Sequence, residues 1–263
     1  MSIKEKYVLR FTRLNRALHI FMIISFLILS LTGMSLKFSY TGWAKVLSKF
    51  FGGFESAGYW HRFAAVIMII VFTMHIIDLV RLRKKEFKSW KSLLIGKNSM
   101  LFNKKDWQDF KSSLKWFVGR GERPSYGRWT YWEKFDYFAV FWGMFVIGST
   151  GMTLWFPEFF TNFFPGWMIN VATIIHSDEA LLATGFIFTI HFFNTHLRPE
   201  KFPMDLVIFS GRIPLDEFKL DRPDEYKDMV EKGELEKYLV EEYPPIVIKG
   251  MKILGWTALT IGF

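Results

Sequence analysis

Residues 17–38 read ALHIFMIISFLILSLTGMSLKF, a nearly uninterrupted apolar run, and this stretch decides the fold. The hydrocarbon core of a bilayer is about 30 Å thick, so a helix that crosses it needs roughly 20 consecutive apolar residues. Three further stretches meet this requirement, at about 59–80, 135–156 and 169–194. The sequence therefore predicts an all-α integral membrane protein that folds as a four-helix bundle.

The composition supports a membrane protein and excludes several other classes. Of the 263 residues, 51% are hydrophobic and 19% are aromatic, which is more apolar surface than a soluble domain of this length can hide. The net charge of +9 arises in the connections between apolar stretches, which favours membrane orientation over nucleic acid binding. The absence of cysteine excludes disulfides, iron–sulfur ligation by this chain and covalent haem attachment.

The positively charged residues are distributed unevenly among the connections. The connection 81–134 is rich in Lys and Arg, and the N-terminal segment carries five such residues before residue 17. The connection 39–58 has only two lysines, and 157–168 has neither Lys nor Arg. Because cytoplasmic connections carry an excess of Lys and Arg, we predict a multi-pass membrane protein with a cytoplasmic N-terminus.

The predicted domain organisation has three parts. Residues 1–200 form the transmembrane bundle, which contains all six histidines. Residues 201–245 are polar with mixed charge and are predicted to form a cytoplasmic segment, in which 215–242 is typical of one or two solvated helices. Residues 246–263 are apolar again but include two lysines, so they are predicted to form a fifth hydrophobic helix that either crosses the membrane or lies in its interface.

An internal repeat relates the two halves of the bundle. The first apolar stretch ends with Thr32-Gly33-Met34, and the third ends with Thr150-Gly151-Met152. The second and fourth stretches each carry a histidine near the start and another about four turns later. The sequence therefore predicts two parallel helical hairpins related by a pseudo-twofold axis along the membrane normal.

All six histidines fall in or at the edge of an apolar stretch: His19, His61, His75, His176, His191 and His196. Ionisable side chains inside a membrane are costly and by default indicate function. In the second and fourth stretches the two histidines are 14 and 15 residues apart, which corresponds to rises of about 21 and 22 Å along a helix. Each of these helices can therefore present imidazoles at two depths of the bilayer.

Facing imidazoles from two helices are the ligands that a bis-histidine haem b requires. His61 and His176 both begin their helices on the outer side and form the predicted outer pair. Two haems at different depths would carry electrons across most of the bilayer. The spacing therefore predicts a transmembrane electron-transfer protein, and a bundle of this kind suits haem b as its cofactor.

The inner side offers more histidines than one haem requires. The repeat symmetry favours His75 with His191, whereas His19 breaks the symmetry because its repeat mate is Tyr137. His196 is predicted to point away from the bundle, because 20 residues of regular α-helix after the first histidine of the fourth stretch correspond to about 200° of rotation. The residues by themselves leave the inner pairing open.

Two runs of residues carry a resemblance to a known family. The first is Arg10…Arg13…Arg16-Ala17-Leu18-His19, followed by the apolar run and Thr32-Gly33. The second is Thr150-Gly151…Trp155-Phe156-Pro157…Phe164-Pro165…Ile175-His176. Over residues of about 10–200 the chain resembles the di-haem cytochrome b subunits of formate dehydrogenases, nickel–iron hydrogenases and thiosulfate reductases. This resemblance implies four spanning helices, two b haems and electron transfer between a partner enzyme and the quinone pool. It also implies a place in the bacterial inner membrane.

The resemblance also implies which histidines bind haem. Carried over by position, His61 and His176 bind the outer haem, and His19 and His191 bind the inner one. Residues 191–199, HFFNTHLRP, resemble relatives that accompany multihaem c-type cytochromes. The implied redox partner is therefore a multihaem c-type cytochrome or an iron–sulfur or catalytic subunit.

The two remaining histidines, His75 and His196, have no counterpart in the family pattern, so two arrangements stay open. In the first there are two haems, and the spare histidines serve a quinone or the haem propionates. In the second there are three haems, with the ligand pairs His61/His176, His75/His191 and His19/His196.

Polar residues at the inner edge are candidates for the quinone site. Asp78, Asn194 and Arg198 lie there and could bind menaquinone or ubiquinone as the substrate. Asp178 and Glu179 lie near the outer end of the fourth helix and are candidates for a propionate contact or a proton exit.

The predicted function is the quinone-reactive electron-transfer subunit of an oxidoreductase complex in a respiratory chain. Electrons would pass across the bilayer between a quinone on the cytoplasmic side and a redox partner on the periplasmic side. The chain contains no motif for a catalytic site of its own, such as G-x-G-x-x-G, a P-loop or H-E-x-x-H. Two other classes stay open at this point, a cofactor-free membrane anchor and a transporter subunit.

Overall fold

The computed structural model describes residues 6–87, 89–199 and 201–262. In chain order, its first part contains β1 (Lys6–Leu9), α1 (Arg13–Lys37), α2 (Gly42–Phe50), α3 (Phe54–Glu86), α4 (Trp90–Ile95), α5 (Lys104–Phe117) and α6 (Tyr131–Trp155). Its second part contains α7 (Pro157–Phe160), α8 (Trp167–Phe186), two π-helical segments (Ile187–His191 and Phe193–Leu197), α9 (Val207–Ser210), β2 (Arg212–Pro214), α10 (Leu215–Asp221), α11 (Pro223–Glu231), α12 (Leu235–Tyr238), β3 (Leu239–Glu241) and α13 (Pro245–Gly262).

Among the described residues, four helices are long and apolar enough to cross a membrane: α1, α3, α6 and the continuous helix Trp167–Leu197. In the most apolar part of each helix, at most 17% of the residues are buried inside the protein. Apolar side chains that the protein itself does not cover are suited to contact lipid. The prediction of an all-α membrane protein with four spanning helices is therefore confirmed.

The helices extend beyond the apolar runs from which they were predicted. The structure begins α1 at Arg13 and extends α3 from Phe54 to Glu86, a length of 33 residues. The extra turns are polar or basic, so they continue the backbone hydrogen bonding of the helix while their side chains reach water or headgroups. The C-terminal prediction falls on α13, which is helical from Pro245 but is not one of the four candidate spans. Its placement relative to the membrane stays a prediction.

The fourth spanning helix changes its winding near its end. After α8, residues 187–191 and 193–197 form π-helical turns. A π-helix bonds residue i to residue i+5, so it rotates by fewer degrees per residue than an α-helix. The side-chain directions calculated from regular α-helical geometry therefore do not apply to this part of the chain.

The chain forms two compact units. The first, named here the histidine unit, consists of Ala17–Ile76 and Ala139–Phe193. The second, named the sheet unit, consists of Met1–Arg16, Ile77–Phe138 and Asn194–Phe263, as far as these residues are described. These units divide the chain differently from the boundaries at 200 and 245 that the sequence suggested.

The sheet unit is built on a small antiparallel sheet that the sequence did not predict. Its strand order is β2-β1-β3, so the N-terminal strand lies in the middle. Val8 from β1, Ile213 from β2 and Phe218 from α10 form its core, and each is at most 3% exposed. The four residues of β1 lie in a basic segment and pair with strands more than 200 residues away, so no local pattern indicated them.

A buried ion pair ties the N-terminal strand to α11. Arg10 donates to Glu225, and Arg128 donates to the other carboxylate oxygen of Glu225 at 2.9 Å. Burial lowers the pKa of Arg10, while the charge of Glu225 opposes that shift. Because breaking a buried pair leaves an uncompensated charge, these residues hold distant parts of the sheet unit together.

Candidate functional site

Two imidazoles from different spanning helices meet in the histidine unit. His61 on α3 and His176 on α8 have ring centroids 6.2 Å apart, with an angle of 73° between the ring planes. Both side chains are half-buried. The structure therefore brings together the two residues that the sequence predicted as the outer pair.

Thr32 on α1 determines which nitrogen of His61 carries the proton. The Nδ1 atom of His61 lies 2.9 Å from the Thr32 hydroxyl oxygen. That hydroxyl donates its own proton to the carbonyl oxygen of Ile28 at 2.5 Å, so towards the ring it can only accept. His61 is therefore protonated at Nδ1, which leaves the lone pair on Nε2 for a metal.

The same logic applies to His176. Its Nδ1 atom lies 2.9 Å from the carbonyl oxygen of Ile147 and 3.4 Å from the Thr150 hydroxyl oxygen. A carbonyl oxygen can only accept a hydrogen bond, so the ring must donate from Nδ1. The Thr150 hydroxyl donates to the carbonyl oxygen of Val146 at 2.6 Å, as its counterpart in α1 does. Both rings are therefore held in the tautomer that presents Nε2.

The glycine of each Thr-Gly pair makes room for the neighbouring imidazole. A Cβ atom added to Gly33 would lie 3.3 Å from Cε1 of His61, and one added to Gly151 would lie 2.9 Å from Cε1 of His176. Real Cβ atoms almost never approach to less than 3.0 Å. Sequence reasoning recognised these residues as a repeat but missed that they hold the histidines. The signal was the repeat itself, because each Thr-Gly pair is followed by a histidine at the start of the next spanning helix.

The separation of the outer pair suits a haem held by both histidines. If both rings bound one metal through Nε2, bonds of about 2 Å and about 1 Å from each nitrogen to its ring centre would separate the ring centroids by roughly 6 Å. The observed separation is 6.2 Å. Among the described residues, no three or more His, Cys, Asp or Glu side chains are grouped to hold a metal ion. A pair of histidines therefore suits a metal that brings its own equatorial ligands.

A family model supplies the deciding observation. The model for prokaryotic cytochrome b561 matches residues 10–195, about 70% of the chain. The chain belongs to the prokaryotic cytochrome b561 family. No curated protein matches the chain.

Membership of the cytochrome b561 family confirms the resemblance to the cytochrome b subunits of hydrogenase-like complexes. It identifies the protein as a multi-pass bacterial membrane protein and as a haem b electron-transfer subunit. The matched region covers five of the six histidines and ends one residue before His196. Both Thr-Gly pairs lie inside it, so the features that hold the outer histidines belong to the matched region.

On the inner side, the structure brings His19 close to His191. Their side chains interact electrostatically, and both belong to the histidine unit. His191 lies at the end of the first π-helical segment. The altered winding there changes its direction relative to His176, which explains why α-helical spacing could not determine the inner pairing.

His75 has different surroundings from the other histidines of this cytochrome b561. Its ring packs edge-on against Phe141 of α6, with centroids 6.1 Å apart. Phe72, one turn earlier on α3, packs against the same ring at 5.0 Å. The contact between His75 and Phe141 is what a histidine on the apolar side of a helix makes when it packs in the core.

His196 and the predicted quinone residues all belong to the sheet unit. His196 is buried, and its Nδ1 lies 3.0 Å from the carbonyl oxygen of Pro203, so this ring also carries its proton on Nδ1. Arg198 places its guanidinium 5.3 Å from the ring centroid of Trp132. Asp78 and Asn194 are half-buried.

A lysine that sequence reasoning missed lies beside the outer pair. The Nζ atom of Lys37, at the end of α1, donates to Ser177 at 2.9 Å and to Asp178 at 2.7 Å. Asp178, which the sequence offered for a propionate contact or a proton exit, is paired with this cation, and its side chain is largely exposed. These residues directly follow His176, so the cation lies at the end of the site that the sequence predicts to be the outer one.

Proposed function

We propose that this cytochrome passes electrons across the bilayer between a quinone on the cytoplasmic side and a redox partner on the periplasmic side. The observation that carries the proposal is the outer pair, in which two spanning helices present imidazoles at a ring separation of 6.2 Å. Both imidazoles carry the proton on Nδ1, the tautomer that leaves the Nε2 lone pair for a metal. A cofactor-free anchor would have no need for this arrangement.

We propose two haem b groups, the outer one bound by His61 and His176 and the inner one by His19 and His191. A haem with two histidine ligands supplies one-electron oxidation and reduction without an open position for substrate. The chain contributes the orientation of the two outer rings, because the acceptors at Nδ1 fix the tautomer and strengthen Nε2 as a ligand. The electrostatic interaction between His19 and His191, which both belong to the histidine unit, supports the two-haem arrangement.

The two remaining histidines are proposed to serve other roles. His75 packs against Phe141, which supports a packing role. His196 donates to the Pro203 carbonyl oxygen and is proposed, as the sequence suggested, to serve a quinone or a propionate. The alternative of three haems requires both residues as ligands, so haem stoichiometry distinguishes the two arrangements.

For the quinone we propose a site formed with Asp78, Asn194 and Arg198. A carboxylate can accept the proton of a bound quinol, and the amide and guanidinium can donate hydrogen bonds to a quinone oxygen. All three residues belong to the sheet unit, which supports treating them as one candidate set. Menaquinone and ubiquinone share the carbonyl oxygens that these groups recognise, so either is a candidate substrate.

The proposed partner on the periplasmic side is a multihaem c-type cytochrome or an iron–sulfur or catalytic subunit. It would exchange electrons at the outer end of the histidine unit, where His61 and His176 begin their pairing. The proposed orientation, with a cytoplasmic N-terminus, is supported by the distribution of Lys and Arg among the connections.

The test is the amount of haem b per chain. The protein is purified in mild detergent after expression with ample haem, and haem is measured as the reduced pyridine complex. A ratio near two supports the proposed pairs, and a ratio near three shows that all six histidines are ligands. A ratio near zero would exclude electron transfer through haem.

A second measurement tests the quinone site. The purified protein is mixed anaerobically with a quinol, and reduction of the haem is followed by its absorbance. We expect Asp78→Asn to slow this reduction while leaving haem content unchanged. Equal rates in the variant and the original protein would remove Asp78 from the site.

A further inference from the structure

Helix α5 is attached to the first turn of a spanning helix. Its Asp106 forms a buried ion pair with Lys134 of α6 at 2.9 Å, and its Phe110 packs edge-on against Tyr131 of α6 at 5.6 Å. The helix begins at the cap residue Asn103, whose side chain accepts from two backbone N–H groups. Because Tyr131 and Lys134 open a membrane span, these contacts hold α5 at the level where that span leaves the bilayer.

The face of α5 that does not contact α6 carries an apolar stripe. Trp107, Leu114 and Val118, the last directly after the end of the helix, are 59%, 50% and 66% exposed. Their spacing of seven and four residues places them on one line along the helix. A single exposed apolar side chain is ordinary, but three on one line of a helix indicate a surface that something apolar covers.

A basic stripe runs parallel to the apolar one. Lys104, Lys111 and Lys115 have the same spacing of seven and four residues, and all three are exposed. The Nζ atom of Lys111 lies 5.0 Å from the centre of the Trp107 ring, so the two stripes are in contact. Basic residues along the edge of an apolar stripe are typical of helices that lie in the membrane interface.

A surface depression at the end of α5 is lined by both apolar and basic side chains. It is lined by Leu114 and Val118 from the apolar stripe and by Lys115 and Arg120. A phospholipid has the complementary pattern, since an anionic phosphate lies directly beside its acyl chains. The depression therefore fits a lipid headgroup better than it fits a purely apolar partner.

We propose that α5 lies on the membrane surface and binds anionic lipid of the leaflet into which α6 inserts. The apolar stripe would enter the boundary between headgroups and acyl chains, and the lysines would contact the headgroup phosphates. Three observations favour anionic lipid: α5 is attached to the start of a span, its apolar and basic stripes run parallel, and the depression at its end is lined by both apolar and basic residues. By the distribution of Lys and Arg, the leaflet is the cytoplasmic one, whose surface attracts basic segments.

The absence of cysteine from the sequence makes a direct test simple. Single cysteines are introduced as Leu114→Cys and Val118→Cys, labelled with an environment-sensitive fluorophore and placed in lipid nanodiscs as the full chain. Gln108→Cys is the matched control, because it is exposed on the same helix and lies about 100° around from Trp107. Iodide quenches labels that face water, whereas nitroxide-labelled lipids quench labels that face the membrane.

We expect labels at positions 114 and 118 to be shielded from iodide and quenched by the nitroxide lipids, with the opposite behaviour at 108. Equal access of iodide to all three positions would overturn the proposal. Shielding from iodide without quenching by lipid would also overturn it, because a second copy or a partner protein would then cover the stripe. Haem content of each labelled variant, compared with the original protein, verifies that the fold is intact.

The lysines test whether the lipid is recognised by its charge. The triple variant Lys104→Gln, Lys111→Gln, Lys115→Gln is compared with Lys227→Gln, Lys232→Gln, Lys237→Gln, which changes the net charge equally but outside α5. Adding phosphatidylglycerol to phosphatidylcholine nanodiscs should increase the lipid quenching at position 114 in the control and not in the α5 variant. The same increase in both variants would exclude charge recognition by α5. This test does not depend on the proposed electron transfer, because its measurement requires no quinone or redox partner.

Discussion

The two outer histidines are held by the same sequence motif through different atoms. In the first hairpin, Nδ1 of His61 lies 2.9 Å from the Thr32 hydroxyl oxygen. In the second, Nδ1 of His176 lies 2.9 Å from the Ile147 carbonyl oxygen, and the Thr150 hydroxyl is more distant at 3.4 Å. The repeat therefore preserves the protonated nitrogen, while the main acceptor changes from a side chain to the backbone. Equivalent substitutions in the two hairpins should have unequal effects.

The glycines of the two Thr-Gly pairs also differ, in how closely the neighbouring imidazole packs against them. A Cβ atom at Gly33 would lie 3.3 Å from the imidazole beside it, a tight contact that a small shift can relieve. At Gly151 the distance would be 2.9 Å, which requires a displacement. The second hairpin thus packs its histidine more closely than the first, although the motif is the same.

The largest effect is expected for substitutions of the proposed haem ligands, and it should be equal in the two hairpins. His61→Ala and His176→Ala each remove one imidazole of the outer pair, so each variant should lose about one haem b per chain. The loss is measured with the reduced pyridine complex. His75→Ala is the matched control and should keep the full haem content, because its ring packs against Phe141. Haem loss in the control as well would favour the three-haem arrangement.

The second largest effect is expected for alanine substitutions of the two glycines, which should change the stability of the two hairpins unequally. Gly151→Ala should lower the free energy of unfolding by about 1–3 kcal/mol, because the added methyl overpacks the site. Gly33→Ala should be nearly neutral, since the helix propensity gained with alanine, up to about 1 kcal/mol, offsets a milder contact. Thermal unfolding in detergent, followed by helix signal and haem release, measures both.

Gly148→Ala is the control for the glycine comparison. Its added Cβ would meet no atom of the described chain within 4 Å, so it should be neutral or slightly stabilising. Equal destabilisation by Gly33→Ala and Gly151→Ala would mean that the difference in packing between the hairpins has no energetic consequence.

For the threonines, the substitution in the first hairpin should have the larger effect on haem binding, which reverses the order expected for the glycines. Thr32→Val removes the hydroxyl that accepts from His61, and loss of such a contact typically weakens metal binding by about tenfold or more. Thr150→Val should have a smaller effect, because the Ile147 carbonyl still accepts from His176 at 2.9 Å. The readouts are the haem midpoint potential and the haem content. A larger shift for Thr150→Val would contradict the roles inferred from the distances.

The smallest expected effect lies at the outer end of the site. Lys37→Gln removes the partner of Asp178, but the pair is partly exposed to solvent, so the free energy of unfolding should fall by no more than about 1 kcal/mol. The effect should decrease as salt is added. Lys45→Gln, on the exposed helix α2, is the control. A destabilisation that is large and independent of salt would indicate that Lys37 has a role beyond this pair.

Much of the membrane part could be predicted from the sequence. Length and apolar content are local properties, so four spans could be counted before any packing was known. The outer pair could be predicted too, because His61 and His176 each begin a spanning helix and the repeat relates the two helices. The inner pairing could not be derived from helical spacing, since the π-helical turns that end at His191 change its direction. Only the family resemblance indicated His19 with His191, and this pairing stays a prediction.

The sheet unit could not be predicted from the sequence. Strand β1 has four residues in a basic segment and is stabilised by β2 and β3, whose positions in the chain are far away. Burial of Arg10 likewise depends on Glu225, which lies 215 residues later. Contacts over such separations leave no periodicity in a local window, so the sequence indicated only a polar segment with solvated helices.

By itself, the sequence determined the number of spans, the positions of the histidines and the repeat that links each Thr-Gly pair to a histidine. These follow from composition and spacing along a single helix. Only the tertiary structure decided which nitrogen of each outer ring is protonated, which acceptor holds it and which face of α5 is left exposed. The physical reason is that hydrogen bonds and burial depend on the atoms of neighbouring helices, and one helix does not specify its neighbours.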